Sequence, residues 1–297
     1  MNTHKLTVTE WLRALRPLTW TASIMPVLLT SAYAFSLQEA YGTSVEWWLL
    51  PFIFIAVLSY QAGVNMVDFK WKIARKEDFL DEKKSPITQK PTEEPWQKIA
   101  LGVLAFGTII GLWLTYQTGW ILLLFGGFGL IAGYNYYYYK NYGLARDLLV
   151  FTIFGPLIAL GTFFVLTGEL SLMVVLIAIP TGLVNCGILH TNIVRSILFD
   201  VKAGINSSAW PSDFRTSQWR YALFIFGAFL ATGILVVFGT LPFWSLLILL
   251  AFPMALTNVK TMFKGLSKNM ETVLALDEGT AKLQVVFTIL LALGFFM

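Results

Sequence analysis

Charge is scarce in this chain, and cysteine scarcer still. Only 13% of its 297 residues are Asp, Glu, Lys or Arg, too few to solvate a soluble domain of this length. The single cysteine, Cys186, lies within an apolar run, which excludes a disulfide framework and a cysteine-built metal site, and with them the secreted-domain classes. No small-residue cleavage pattern accompanies the first apolar segment, which begins after Leu18, so that segment is expected to remain as a first span and not to act as a cleaved leader. A net charge of +4 makes no case for nucleic-acid binding. No apolar run carries a charged residue near its centre, which argues against an ion or substrate path of the transporter kind.

Apolar length is what the chain has. Hydrophobic residues make up 57% of it, with 24 Phe and 11 Trp, and several runs reach the roughly 18 to 20 residues that a helix needs to cross the hydrocarbon. Spans are expected near 19 to 37, 47 to 67, 97 to 116, 119 to 138, 146 to 167, 171 to 194, 219 to 239, 243 to 258 and 279 to 296. The fold class is therefore an all-α membrane protein of about nine transmembrane helices, forming one domain over residues 1 to 297. The connections after spans one, three, five and seven are short and carry only Glu39, Glu46 and Glu169, whereas all 21 Lys and Arg lie on the other side. By the positive-inside rule the N-terminus and the large loops, about 68 to 96 and 195 to 218, face the cytoplasm. The expected location is a bacterial cell membrane.

Those two loops concentrate the polar side chains. The first begins NMVDFKWKIARKEDFLDEKKSPITQK, residues 65 to 90; the second lies in LHTNIVRSILFDVKAGI, residues 189 to 205. Asn65, Asp68 and Lys72 share one helical face, as do Asn192, Ser196 and Asp200, with Arg195 beside them and Lys202 just beyond. Polar groups at the end of a membrane helix are costly unless they face a cavity or a partner. The stretch from Glu77 to Lys84 reads as a solvated turn. Asparagine and carboxylate oxygens facing a polyanion form a ligand set for Mg²⁺, and neighbouring arginine and lysine would hold the remaining phosphate charge. The run GYNYYYYK, residues 133 to 140, closes span four. It is either an interfacial aromatic belt or part of a cation-stabilising lining.

The second segment resembles the second signature of the UbiA superfamily of membrane prenyltransferases, in particular the branch that prenylates 1,4-dihydroxy-2-naphthoate. His190, Asn192, Arg195, Asp200 and Gly204 fall into register with that pattern without a gap. LRPLTWTASIMPVLLTSAYA, residues 15 to 34, is similar to the family's first helix, FGPLIALGTFFVLTG, residues 154 to 168, to its fifth, and AKLQVVFTILLALGF, residues 281 to 295, to its last. The resemblance implies a bundle open sideways to lipid that binds a polyprenyl diphosphate through Mg²⁺ and passes the prenyl group to an aromatic small-molecule acceptor. It implies metal contacts at Asn65, Asp68, Asn192 and Asp200. Diphosphate contacts would come from Arg195, Lys202, Lys72 and Lys140. Acceptor contacts would come from His190, Arg16 and Tyr134, although His190 also reads as a packed, hydrogen-bonded residue and Arg16, before Pro17, as an interfacial anchor. Asp68, Asp200 and Lys72 carry the catalysis in this reading.

The departures from the pattern are specific. Ser196 stands where the second signature has an aspartate, Ile193 where it has a second asparagine, and Trp71 and Lys72 follow Asp68 where the first signature has another aspartate. Each segment has lost a carboxylate, which leaves protein charge for one Mg²⁺ ion and gives Lys72 a direct role on phosphate. Two alternatives therefore stay open: a repurposed member, such as a membrane-bound terpene cyclase or a prenyltransferase with unusual substrates, and a non-catalytic lipid- or quinone-binding protein.

Overall fold

The computed structural model describes residues 15–74, 93–134, 143–202, 214–268, 273 and 275–297, and of these 68–74, 93–96, 134, 195–202, 214 and 265–268 by backbone only. Nine helices make up the described chain. A 3₁₀ turn, Pro17–Trp20, opens α1, Thr21–Tyr41; a second, Trp47–Leu49, opens α2, Leu50–Ala74. Then come α3, Glu93–Thr118, α4, Ile121–Tyr134, and α5, Gly143–Thr167, which passes through a π turn at Ile153–Leu157. The bundle continues with α6, Leu172–Lys202, and α7, Phe214–Val237. Nine residues of 3₁₀ helix, Phe243–Ala251, lead into α8, Phe252–Lys268, and α9, Leu276–Leu293, ends the fold. Among the described residues seven helical stretches have the length and hydropathy to cross a membrane, and Ile121–Gly133 is a shorter apolar one. The chain is an integral membrane protein with an all-helical bundle.

Over the described residues each of the nine expected spans falls on a helix, residues 135 to 138 of the fourth lying outside them, but two ends differ. The expected loops at 68 and 195 start as helix: α2 continues to Ala74 and α6 to Lys202. Asp68, Lys72, Arg195, Asp200 and Lys202 thus ride on helical extensions beyond the apolar runs. Nothing in their sequence stops a helix, since no proline or glycine falls between 65 and 74 or between 188 and 203.

Two cores share α1 and α6. One gathers Leu29, Val184, Tyr221, Ile225, Met262 and Phe287; the other gathers Val27, Leu49, Ile53, Leu114, Phe163 and Val174. The crossing of α5 with α6 is closest at Gly155 and Gly182, where a Cβ on Gly155 would lie 3.0 Å from the Gly182 Cα. Only glycine lets the backbones approach so far.

Pro156, within the π turn, has no N–H to give, and the Ile158 N–H reaches back to the carbonyls of Gly155 and Ile153. The Phe154 carbonyl, skipped by that pattern, instead accepts from Asn185 Nδ2 at 2.7 Å; the same nitrogen donates to the Ala22 carbonyl at 3.1 Å. Asn185 is fully buried, so it ties α1, α5 and α6 together where no water can substitute. Asn185→Leu should therefore lower stability by about 1–3 kcal/mol, the cost of leaving a buried carbonyl unpaired. Thermal unfolding in detergent reads this, and an unchanged midpoint would show that the tie contributes nothing.

Candidate functional site

A cavity of about 390 Å³ lies inside the first six helices, within the size range of small-molecule sites. Its walls run from Ile53 to Asn65 on α2, about 18 Å at helical rise, and α3, α4 and α5 complete its sides. The ends differ in chemistry. Arg16, Thr19, Ser23, Gln61, Asn65 and Asn192 line one end, while Leu114, Leu122, Ile158 and Val165 line the body and the far end.

A hydrogen-bond network sets the polar end. Ser23 Oγ donates to Gln61 Oε1 at 2.9 Å, and Gln61 Nε2 donates to Asn65 Oδ1 at 3.3 Å and Thr19 Oγ1 at 3.4 Å. Asn65 Nδ2 donates to the Leu15 carbonyl at 2.9 Å and to Thr19 Oγ1 at 3.0 Å. Gln61 and Asn65 sit one turn apart on α2, so a single helix face holds the entry into α1. That entry is strained: Arg16 has φ 48° and is the one non-glycine residue with positive φ among the described residues. The left-handed region costs an L-residue about 1–2 kcal/mol, and strain held by surrounding bonds is a marker of functional positions. Here it is offset by Thr19, whose N–H and Oγ1 both donate to the Arg16 carbonyl at 2.9 Å.

Among the residues singled out in the sequence, Arg16, Asn65 and Asn192 line this polar end together. Asp68 and Lys72 lie one and two turns beyond Asn65 on α2, and Arg195, Asp200 and Lys202 lie beyond Asn192 on α6, in both cases past the last described side chain. Tyr134 is the final residue of α4, also described by backbone alone, and Lys140 lies outside the described residues. His190 takes the packed, hydrogen-bonded place that is one of its two readings. It is 3% exposed and turned away from the cavity toward α7, with Nε2 2.9 Å from the Ser217 carbonyl, because residues 189, 192 and 193 occupy the cavity-facing side of α6.

Among the described residues the aromatic side chains that line the cavity are Tyr60, Phe125 and Phe154, whereas Trp48, Trp120, Trp219, Phe238 and Phe243 are exposed on the outside of the bundle, where a membrane protein meets lipid and interface. Among the described residues no three His, Cys, Asp or Glu side chains group closely enough for a metal ion. The donors at the polar end are the carboxamide oxygens of Asn65 and Asn192, hard ligands that suit Mg²⁺ and not a soft metal.

Sequence reasoning missed a second polar cluster, directly behind α6. Arg146 Nε and Nη2 both donate to Asp147 Oδ1, at 2.9 and 2.6 Å, and Arg220 Nη1 lies 3.9 Å from Asp147 Oδ2. Arg146 and Asp147 are 3% and 9% exposed, and Cys186 Sγ donates to the Asp147 carbonyl at 3.4 Å. Adjacent opposite charges at a span boundary look like solvated interface residues, so nothing in the sequence signalled their burial.

The UbiA prenyltransferase family profile matches residues 25–272. The chain belongs to this family. UbiA prenyltransferase domain-containing protein 1 of Homo sapiens is 27% identical over 294 residues, covering 96% of this chain and 82% of that protein. The Drosophila melanogaster homolog is 28% identical over 292 residues, covering 94% and 77%. The 1,4-dihydroxy-2-naphthoate octaprenyltransferase of Mycobacterium tuberculosis is 26% identical over 265 residues, covering 83% and 84%. A solved structure of digeranylgeranylglyceryl phosphate synthase superposes with a TM-score of 0.56 at 16% identity, covering 96% of this chain and 97% of that one. The UbiA bundle is thus the common architecture, and both segments carrying the signature asparagines lie within the matched region.

Two outcomes follow from the site's geometry. Arg16→Gly should raise stability by about 1 kcal/mol through relief of the left-handed strain while turnover falls, read by thermal unfolding beside a prenyl-transfer assay; unchanged turnover would make Arg16 a structural anchor only. Asp147→Ala should destabilise by about 3–5 kcal/mol, since Arg146 is left buried and uncompensated, and a midpoint within error of wild type would contradict that burial.

Proposed function

We propose that this chain transfers a polyprenyl group from its diphosphate to an electron-rich aromatic acceptor of the 1,4-dihydroxy-2-naphthoate type, a step of quinone synthesis, with the basic loops on the cytoplasmic side. The observation that carries this reading is the polarity of the cavity. Its polar end joins the asparagines of both signature helices, and its apolar body continues away from them, the division that an amphiphile with an anionic head and a long hydrocarbon tail requires.

Asn65 and Asn192, with Asp68 and Asp200 on the helical extensions, would hold Mg²⁺. The ion, when bound, supplies charge stabilisation to the leaving diphosphate. Arg195, Lys202 and Lys140 add cationic donors to the same phosphates, and Lys72 replaces part of the positive charge that two further carboxylates would have recruited. In the reaction the prenyl C1–O bond breaks and the diphosphate leaves with the electron pair. The allylic carbon then bonds to a ring carbon of the acceptor, and the ring gives up a proton. Arg16, at the cavity's polar end, would orient the acceptor, together with Tyr134 at the end of α4. The apolar walls exclude water that would otherwise capture the cation.

The test is turnover by the detergent-purified protein with a labelled polyprenyl diphosphate, with and without 1,4-dihydroxy-2-naphthoate, in Mg²⁺ or in chelator. Acceptor-dependent product that disappears with chelator is expected, and Lys72→Ala should reduce its rate by about tenfold or more, the scale of a lost charge-assisted contact to phosphate. Diphosphate release with a cyclised or hydroxylated hydrocarbon in the absence of acceptor would instead support a terpene cyclase. The replacement of carboxylates by Ser196 and Trp71 favours that second reading. An unaltered rate in Lys72→Ala would remove the lysine from the mechanism.

A further inference from the structure

Six glycines line the cavity: Gly111, Gly126, Gly127, Gly129, Gly133 and Gly161. Four of them are packed. A Cβ would meet Tyr60 at Gly111, Leu157 at Gly129, Val64 at Gly133, and Leu122 and Phe125 at Gly161, all within 4 Å. Gly126 and Gly127 differ, because a Cβ on either would meet nothing within 4 Å. Both lie within α4 and neither has positive φ, so the backbone there accepts any L-residue and helix propensity alone would disfavour glycine. What glycine preserves at these two positions is empty space inside the cavity.

Depth gives that space a meaning. Gly133 is level with the polar end, since its Cβ would touch Val64, next to Asn65. Gly126 lies seven residues earlier on the same helix, about 10 Å deeper at helical rise. Beyond it, on the adjoining α5, Thr162 lines the cavity, is 2% exposed, and its buried hydroxyl has no hydrogen-bond partner. A buried hydroxyl left unpaired is unusual. The π face of an isoprene double bond is a weak acceptor that an unsaturated hydrocarbon chain can offer it.

We infer that Gly126 and Gly127 set the length of prenyl chain this protein accepts: they leave open the passage by which the donor's tail runs past mid-depth toward Thr162. The inference rests on the prenyltransferase reading for the identity of the tail. A geranyl chain spans about 9 Å at bond lengths near 1.5 Å and ends at the level of Gly126, whereas farnesyl, geranylgeranyl and octaprenyl chains must pass it.

Gly126→Leu and Gly127→Leu are compared with wild type and with Gly102→Leu. Gly102, on α3, has equal open space around it but does not line the cavity. Each protein is given geranyl, farnesyl, geranylgeranyl and octaprenyl diphosphate, and two readouts are taken: prenyl transfer, and the rise in thermal midpoint on adding the donor without acceptor. The α4 variants should keep the geranyl responses within about twofold and lose about tenfold or more with geranylgeranyl and octaprenyl donors, the scale on which a pocket rejects excess hydrocarbon. Gly102→Leu should match wild type. An unaltered length preference in both α4 variants, or the same shift in Gly102→Leu, overturns the inference. Gly126→Ala and Gly127→Ala, which add one methyl group, serve if a leucine variant does not fold, and a graded loss with the longest donor is expected from them. If wild type binds these donors but transfers none of them, the transferase reading fails while the midpoint shifts still decide the length inference.

Discussion

Inside a membrane every backbone carbonyl needs a partner from the protein itself, and the fold depends on how one such carbonyl is satisfied. The π turn in α5 skips the Phe154 carbonyl, and the fully buried Asn185 on α6 supplies its hydrogen. The same side chain reaches the Ala22 carbonyl on α1. Beside it, Gly155 and Gly182 let the two backbones come within direct contact. This crossing determines how α1, α5 and α6 stand relative to one another. Both cores share two of those helices, and α1, α5 and α6 all contribute to the cavity walls.

The cavity follows from that arrangement. With α6 pressed against α5 through glycines, Leu189, Asn192 and Ile193 turn inward, while Cys186 and His190 face the Arg146, Asp147 and Ser217 side. One helix therefore separates two polar environments. On the inner side a neutral network of Ser23, Gln61, Asn65 and Thr19 lines the end where an anionic head would sit. On the outer side a buried ion pair at the start of α5, Arg146 with Asp147, has Arg220 of α7 3.9 Å away.

Much of the bundle was legible because hydrophobic length is a one-dimensional property. Over the described residues each of the nine expected spans coincides with a helix, and the asparagines at 65 and 192 both line the cavity. What the sequence left open has specific causes. His190 sits two residues from Asn192, and two residues turn a helix by about 200°, so the two side chains point to opposite sides of α6. Phe and Trp suit both a cation-lining pocket and a lipid-facing surface, and only the packing distinguishes Phe125 and Phe154 inside from Trp120 and Phe238 outside. The charges of Arg146 and Asp147 looked solvated because their burial depends on α6 and α7, which follow later in the chain.

The amino-acid order by itself determined membrane residence, the number of helices and the two polar segments, since each follows from local composition and from spacing along a single helix. Which side of each helix faces a cavity was decided only in three dimensions. The left-handed Arg16, the π turn relieved by Asn185, the open space at Gly126 and Gly127 and the burial of Asp147 under Cys186 all depend on how helices far apart in sequence are packed. No periodicity within one segment records the shape of its neighbour, so these features became visible only when the helices were packed against one another.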